Sequence, residues 1–386
     1  MHFDFNQLKK SSFEIVDIMD NNNFKINNIR IVDIAKRANV STGTVDRVIH
    51  KRGRVSKDKV EKVEKAIADL QYKPNVAAQY LSLKKNKTVV IYAIIPLYEK
   101  GEYWEIAASG LMRAAHEVNN FGVIIKILQF DQYDVVSFVK LINEIKLLKD
   151  IDGVVIAPLF KNETETLASM LYGRNIPYVY INSNNIDNNS FLAYFGIHSF
   201  DSGKIIAKLM TAILPEQKDV LKVRFRISNT QAIFSQTELV DAGFKSYINE
   251  QINRPLFIHH LDIYVDKDDI DKTLDKFFNK NKNIGGIVVY NSRAHYIADY
   301  LERREMHNTK IIGFDLLDNN VKFLKKGYID FLISQQPELQ CYYAITALVK
   351  HLVLGETIKK INYIPIDVLV KENVDYYYYW NNHFPN

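Results

Sequence analysis

From Thr88 onward the chain alternates short apolar runs with amphipathic helical stretches, and this alternation limits the possible folds more than any other feature. The runs are VVIYAII (89–95), VIIKIL (123–128), GVVIA (153–157), YVYI (178–181), VLKVRF (220–225), GIVVY (286–290), KIIGF (310–314) and DFLI (330–333). Runs this short and this continuously apolar suit strands buried on both faces. The helical stretches between them supply the covers, so parallel sheets with helices on both sides are expected. The pattern extends over residues 88–374, more than one ordinary core holds, and predicts an α/β unit of two lobes with a sheet in each. Residues 375–386 read as a tail.

The first 87 residues follow a different rule. Residues 1–28 lack sustained periodicity and read as a weakly ordered extension. Ile31, Ile34, Ala35 and Ala38 then recur at helical spacing. Asn39 follows, a residue that tolerates the left-handed backbone of a tight corner, and Ser41 is placed to cap a second helix. In that helix Val45, Val48 and Ile49 form the inward face, while Gly43, Asp46, Arg47 and His50 fall on the other side. A third helix opens at Ser56 with Val60, Val63, Ile67 and Leu70 on one stripe, and Tyr72-Lys73-Pro74 stops it. Three short helices with a tight first corner predict an all-α helix-turn-helix over residues 29–74. Asn75 to Ser82 reads as a further short helix, and the charged stretch to Lys87 as a linker.

Charge is concentrated at the same end. Residues 29–87 hold 15 Lys and Arg against 6 Asp and Glu, which gives +9 in a chain whose total is +5 and leaves the remainder at −4. A compact basic segment joined to a near-neutral larger unit is the footprint of a nucleic-acid-binding module, although a solvated lysine-rich helix face would give the same count. The single cysteine, Cys341, excludes an intrachain disulfide and a cysteine-based zinc cluster. No window approaches the roughly 20 uninterrupted apolar residues of a membrane span, and no secretory signal is visible. A cytoplasmic location is therefore expected.

Catalytic patterns are weak. GIHSFDSGK (196–204) has six residues between its glycines where a phosphate loop has four, and reads as a strand-to-helix turn. DKDDID (266–271) has Ile270 and Asp271 where a calcium loop needs a ligand and then Gly, so it reads as a solvated helix start. His116-Glu117 lacks the second histidine of a zinc protease, and no G-x-S-x-G elbow occurs. Neither enzyme activity, nor a metal site, nor a cofactor is expected.

The stretch IVDIAKRANVSTGTVDRVIHKRGRVSKDKVEKVEKAIADLQYKPNVAAQYL (31–81) resembles the headpiece of the lac and galactose repressor family almost position by position. The resemblance implies that the second helix enters the major groove of an operator. Ser41, Thr42, Gly43, Thr44, Asp46, Arg47 and His50 are then the candidate DNA contacts there, with Thr42, Gly43 and Arg47 nearest the bases. It also implies a hinge helix with Asn75, Ala78 and Leu81 at the minor groove, Leu81 being the wedge. Arginine bonds bidentately to guanine and apolar wedges unstack a duplex, so both roles make physical sense. Taken alone, Arg47 could be a solvated surface residue and Leu81 a core one. Asp46 and His50 depart from the Ser and Asn usual in the family, so the operator sequence does not carry over.

The remainder resembles the two-lobed, type I fold shared by these repressors and periplasmic ribose-binding proteins. By position it implies a ligand held by Tyr103, Trp104, Asn182, Asn291, Asp315 and Gln335, from GEYWEIAASG (101–110), YNS (290–292), GFD (313–315) and ISQQP (333–337). Ligands in open parallel sheets collect beyond the carboxyl ends of strands, which agrees. The aromatic pair could instead be core, and Asp315 could cap the next helix. Asn182 and Ser183 stand where the family often has Asp-Arg, and Val240 where it commonly has Arg, so a neutral or differently anchored ligand is expected unless Arg224 or Arg293 comes near. The family mechanism implied is a homodimer on a pseudo-palindromic double-stranded operator, released or recruited by a sugar-like effector. A pure solute-binding protein of the transport type is the alternative, and the basic head argues against it. The tail lacks the leucine heptads that a tetramer of the lac repressor kind would use.

Overall fold

The computed structural model describes residues 31–49, 53, 55–70, 88–183, 190–227, 235–251 and 256–377. They form two compact units, a small one holding residues 31–70 and a large one holding nearly all of 89–377.

In the small unit three helices enclose one core: α1 (Ile31–Ala38), α2 (Thr42–Ile49) and α3 (Lys57–Asp69). Ile34, Ala35, Ala38, Val45, Val63 and Ala66 are its buried residues, and Val48, Ile49, Ile67 and Leu70 pack around them. Asn39 adopts φ 50°, the left-handed corner that its side chain tolerates. The Val40 amide closes the turn on the Ala35 carbonyl at 3.0 Å. Ser41 caps α2, its Oγ accepting from the Thr44 amide at 3.2 Å. Arg37 on α1 pairs with Asp69 on α3 at 3.0 Å, an exposed contact that adds little to a core of this size.

The large unit has two six-stranded sheets. The strands, in chain order, are β1 (Val89–Pro96), β2 (Val123–Phe130), β3 (Gly153–Ile156), β4 (Tyr178–Ile181), β5 (Ala193–Gly196), β6 (Asp219–Arg226), β7 (Ile258–Tyr264), β8 (Ile284–Val289), β9 (Lys310–Phe314), β10 (Phe331–Ser334), β11 (Ile361–Tyr363) and β12 (Asp367–Leu369). The first lobe orders them β11-β5-β4-β3-β1-β2 and the second β12-β10-β9-β8-β6-β7. Among the described residues every pairing is parallel except β10 with β12 at the second lobe's edge. Central β1 is buried along its whole length, whereas edge strand β2 alternates, as position in a covered sheet requires.

Among the described residues nine helices cover the sheets: α4 (Tyr103–Val118), α5 (Val135–Leu147), α6 (Lys161–Gly173), α7 (Ser199–Ile213), α8 (Ser235–Gln251), α9 (Ile270–Lys280), α10 (Ala294–Arg303), α11 (Asp318–Lys326) and α12 (Pro337–Leu354). The chain passes between lobes three times: from β5 to α7, from β10 to α12, and from β11 to β12. Helices α7 and α8 cross with their backbones in contact. Gly203 lies against the Val240 carbonyl and Gly243 against that of Phe200, where a Cβ has no room. This fixes the second and third turns of α8 against the first two turns of α7.

All eight apolar runs are strands, but β5, β7, β11 and β12 were not expected. β7 (IHHLDIY) is an edge strand with His259, His260 and Asp262 among its apolar residues, and the last two are three residues each, too short to show a period. Val374, the last residue expected in the two-lobed unit, is fully buried in the second lobe, and Tyr377 packs on the same core.

Candidate functional site

On the small unit, the outward side of α2 carries the predicted contacts. Ser41, Thr42, Gly43 and Arg47 are exposed, Thr44 and Asp46 are half-buried, and Val45 is turned fully inward. Thr44 has a second duty, since its hydroxyl lies 3.0 Å from Ser41 Oγ within the cap. A Cβ on Gly43 would meet nothing closer than Ser41 Oγ at 4.0 Å, so packing does not require glycine there. What the glycine provides is a bare backbone at the protein surface. His50, Asn75, Ala78 and Leu81 lie outside the described residues.

In the large unit a cavity of about 530 Å³ opens between the lobes at the carboxyl ends of the strands, and all six predicted ligand residues line it. Tyr103 and Trp104, in the first turn of α4, meet edge to face with centroids 5.1 Å apart, and Trp104 is largely buried. Tyr103 Oη donates to Asn182 Oδ1 at 3.4 Å. Burial raises the Tyr103 phenol well above its usual range, and the Asp315 carboxylate across the cleft adds to this.

Two strand ends use left-handed backbone, Asn182 with φ 66° and Asp315 with φ 64°. Asn and Asp tolerate this region better than other non-glycine residues, and cross-strand bonds hold them in it. The Asn182 amide donates to the Phe195 carbonyl at 3.1 Å and to Gln340 Oε1 at 2.9 Å, and the Asp315 amide to the Ile333 carbonyl at 2.9 Å. The chain is thereby turned so that both side chains enter the cavity wall.

Asp315 is nearly inaccessible to solvent. Ser292 Oγ donates to its Oδ2 at 2.6 Å, and Gln335 Nε2 to both oxygens at 3.1 and 3.2 Å. Burial pushes its pKa up to about 6, against the opposing effect of these donors. It is not a helix cap: α11 begins three residues later, with Leu317 at the cap position. Gln335 also accepts from Gln236 Nε2 at 2.7 Å, tying the crossing strand to the first turn of α8. Asn291 donates through Nδ2 to the Phe225 carbonyl at 2.9 Å, which fixes the amide's orientation and leaves its buried Oδ1 with no partner. An orphaned acceptor in a cavity wall calls for a donor from whatever fills the cavity.

Sequence reasoning missed residues that position this wall. Asn320 is fully buried, and its Nδ2 donates to the carbonyls of Ser292, Phe314 and Asp315 at 3.0, 3.0 and 3.1 Å. Its Oδ1 accepts from the His295 amide at 2.9 Å, so one side chain joins the loops after β8 and β9. In the sequence it is the second Asn of a polar helix start, with nothing to mark it. Beneath Tyr290, Lys222 is almost wholly buried and ion-paired with Asp241, which also accepts from Tyr290 Oη at 3.1 Å. Arg224 and Arg293, the two arginines that the sequence left open as neighbours of the ligand, both line the cleft, and Arg226 lines it with them. Their side chains emerge from strand ends whose placement the apolar pattern does not reveal.

A helix-turn-helix with an exposed second helix, carried on one chain with a cleft between two parallel-sheet lobes, defines a regulator with a periplasmic-binding-protein-like sensor. Comparison with known proteins agrees in both parts. Residues 30–75 match the model of bacterial regulatory proteins, lacI family, and residues 91–357 match the periplasmic binding protein domain. A solved structure assigned as a LacI transcriptional regulator from Bacteroides fragilis is 32% identical, with a TM-score of 0.70, covering 75% of this chain and all of that one. The ribose operon repressor of Halalkalibacterium halodurans is 27% identical over 74% of this chain and 80% of its own length. The NTD biosynthesis operon regulator NtdR of Bacillus subtilis is 31% identical over 146 residues, 37% of this chain and less than half (41%) of that protein. The chain belongs to the lacI family of bacterial regulatory proteins.

Proposed function

We propose that this protein is a ligand-responsive, sequence-specific DNA-binding regulator, a repressor acting as a homodimer, whose effector is a sugar or a related small molecule. The observation that carries the reading is the pairing, in one chain, of an outward α2 bearing Arg47 with a cleft whose wall holds Asp315, Gln335 and the unpartnered Asn291 Oδ1. Arg47 is exposed and forms no ion pair with another described residue, which leaves its guanidinium available to a guanine edge. A carboxylate and an amide suit vicinal hydroxyls, and the aromatic pair on the opposite lobe offers a face to a sugar ring.

The names of relatives support the same class, since the ribose operon repressor takes its name from a sugar operon. Two heads on a two-fold axis fit a pseudo-palindromic site, and Asn75, Ala78 and Leu81 are proposed to meet its minor groove. Closure of the lobes on the effector would change DNA affinity by a coupling free energy that is reciprocal with effector affinity. The test is operator binding by fluorescence anisotropy at several salt concentrations, with and without candidate sugars. Affinity should fall steeply with salt, because the +9 head releases counterions from several phosphates, and one class of sugar should shift it. Affinity that is flat in salt, or equal for random and selected DNA, contradicts the reading.

A further inference from the structure

Arg224 and Arg226 lie two residues apart at the end of β6, on the same face of the strand, and both lean on one carboxylate. Asp262 accepts from Arg224 at 2.7 and 3.1 Å and from Arg226 at 3.1 Å. One acid for two guanidiniums leaves a positive charge over. Arg293 has no acid at all among the described residues, and its Nη2 donates across the cleft to the Tyr133 hydroxyl at 2.9 Å. A guanidinium has five donors in a rigid fork, and a neutral phenol occupies only one of them.

Among the described residues none of the acids in the same lining forms an ion pair with these arginines. Glu102 Oε2 accepts from the Glu99 amide at 3.0 Å, Glu238 is exposed on the first turn of α8, and Asp315 is taken by Ser292 and Gln335. Positive charge absent at Ser183 and Val240 is thus supplied from a different part of the wall. Asn291 Oδ1 meanwhile asks for a hydroxyl donor. The two demands describe one molecule.

We propose that the effector is a sugar or polyol bearing an acidic group, a carboxylate or a phosphate ester, whose anion is bound by Arg293 with the spare charge of the Arg224–Arg226 pair while its hydroxyls meet Asn291 and Asp315. The inference rests on reading the cleft as the effector site. Charge-assisted bonds from arginine to an oxyanion are the strongest the lining can offer, and they would replace the Arg293–Tyr133 contact.

The test is calorimetric titration of the full chain with matched pairs: D-glucose against D-glucuronate and glucose 6-phosphate, D-galactose against D-galacturonate, and D-ribose against ribose 5-phosphate. At least one acidic member should bind tenfold or more tightly than its neutral parent, and the carboxylate and phosphate arms identify which acid. Arg293→Gln should remove most of that preference, lowering the affinity for the acidic member tenfold or more and that for its neutral parent far less. Arg226→Gln, in which Arg224 keeps Asp262, should weaken it independently. Neutral sugars binding as well as or better than their acids overturns the proposal and leaves the effector reading standing, as does a preference that survives both substitutions. If no member of the panel binds or alters operator affinity, the proposal and the sugar reading of the cleft fail together.

Discussion

Asp315→Asn changes one oxygen and should reveal the electrostatic cost of the cleft. Asp315 is nearly inaccessible to solvent, and burial raises its pKa from the ordinary 3.8 to about 6. The folded protein therefore holds a proton more tightly than the unfolded chain, and stability falls as pH rises through that window. At about 1.4 kcal/mol for each pH unit of that rise, the ionised side chain is roughly 3 kcal/mol destabilising above pH 7, and the effect vanishes below about pH 4. Asparagine cannot ionise and is at ease at φ 64°, but it gives up one of the two acceptors used by Ser292 and Gln335, at about 1 kcal/mol. The net gain at about pH 7.5 is about 2 kcal/mol. At roughly 2–4 °C per kcal/mol for domains of 150–250 residues, the melting temperature should rise by about 4–8 °C at pH 7.5 and fall by about 2–4 °C at pH 4, where only the lost acceptor counts. Thermal denaturation of both proteins across about pH 4 to 8 measures this. A difference that does not vary with pH would refute the assignment of the raised pKa to Asp315. The stabilised variant should also respond less to effector in the operator assay, having lost its strongest acceptor.

The head yields two contrasting substitutions. Arg47→Ala should cost roughly 1–3 kcal/mol on the operator and much less on random DNA, as competition binding would show, and equal losses on both would exclude base reading. Gly43→Ala meets no steric obstacle within the protein and should leave the head as stable or up to about 1 kcal/mol more so. Its operator affinity should nonetheless fall, because a methyl group would stand where the proposed interface brings the backbone to DNA, and unchanged binding would take Gly43 off that interface. Gly243→Ala places a Cβ against the Phe200 carbonyl and forces α7 and α8 apart, so the large unit should lose roughly 1–3 kcal/mol by denaturant melting; an unchanged midpoint would show that the crossing is looser than its geometry.

The sequence by itself determined whatever depends on residues close together along the chain. Asn39 marked the corner of the head because the left-handed backbone is a local choice, and Ile34, Ala35 and Val45 marked its core through helical spacing alone. Eight strands were legible because a strand covered on both faces must be apolar throughout, and Asp315 and Asn291 followed as polar residues just past strand ends. Where burial was one-sided, as in β7, or the element was three residues long, as in β11 and β12, the local signal was too weak.

Only the tertiary structure decided which polar groups meet. Arg293 and Tyr133 are separated by 160 residues and Gln236 and Gln335 by 99, and their bonds exist because two sheets bring strand ends to one cleft. Asn320 joins two loops from inside a helix start that looks ordinary in sequence, and Lys222 sits buried in an apolar run because Asp241 waits beside it. The charge of the cleft, and with it the chemistry of the effector, depends on those long-range pairings, because a charge inside a protein is set by its partners in space, which periodicity along the chain does not encode.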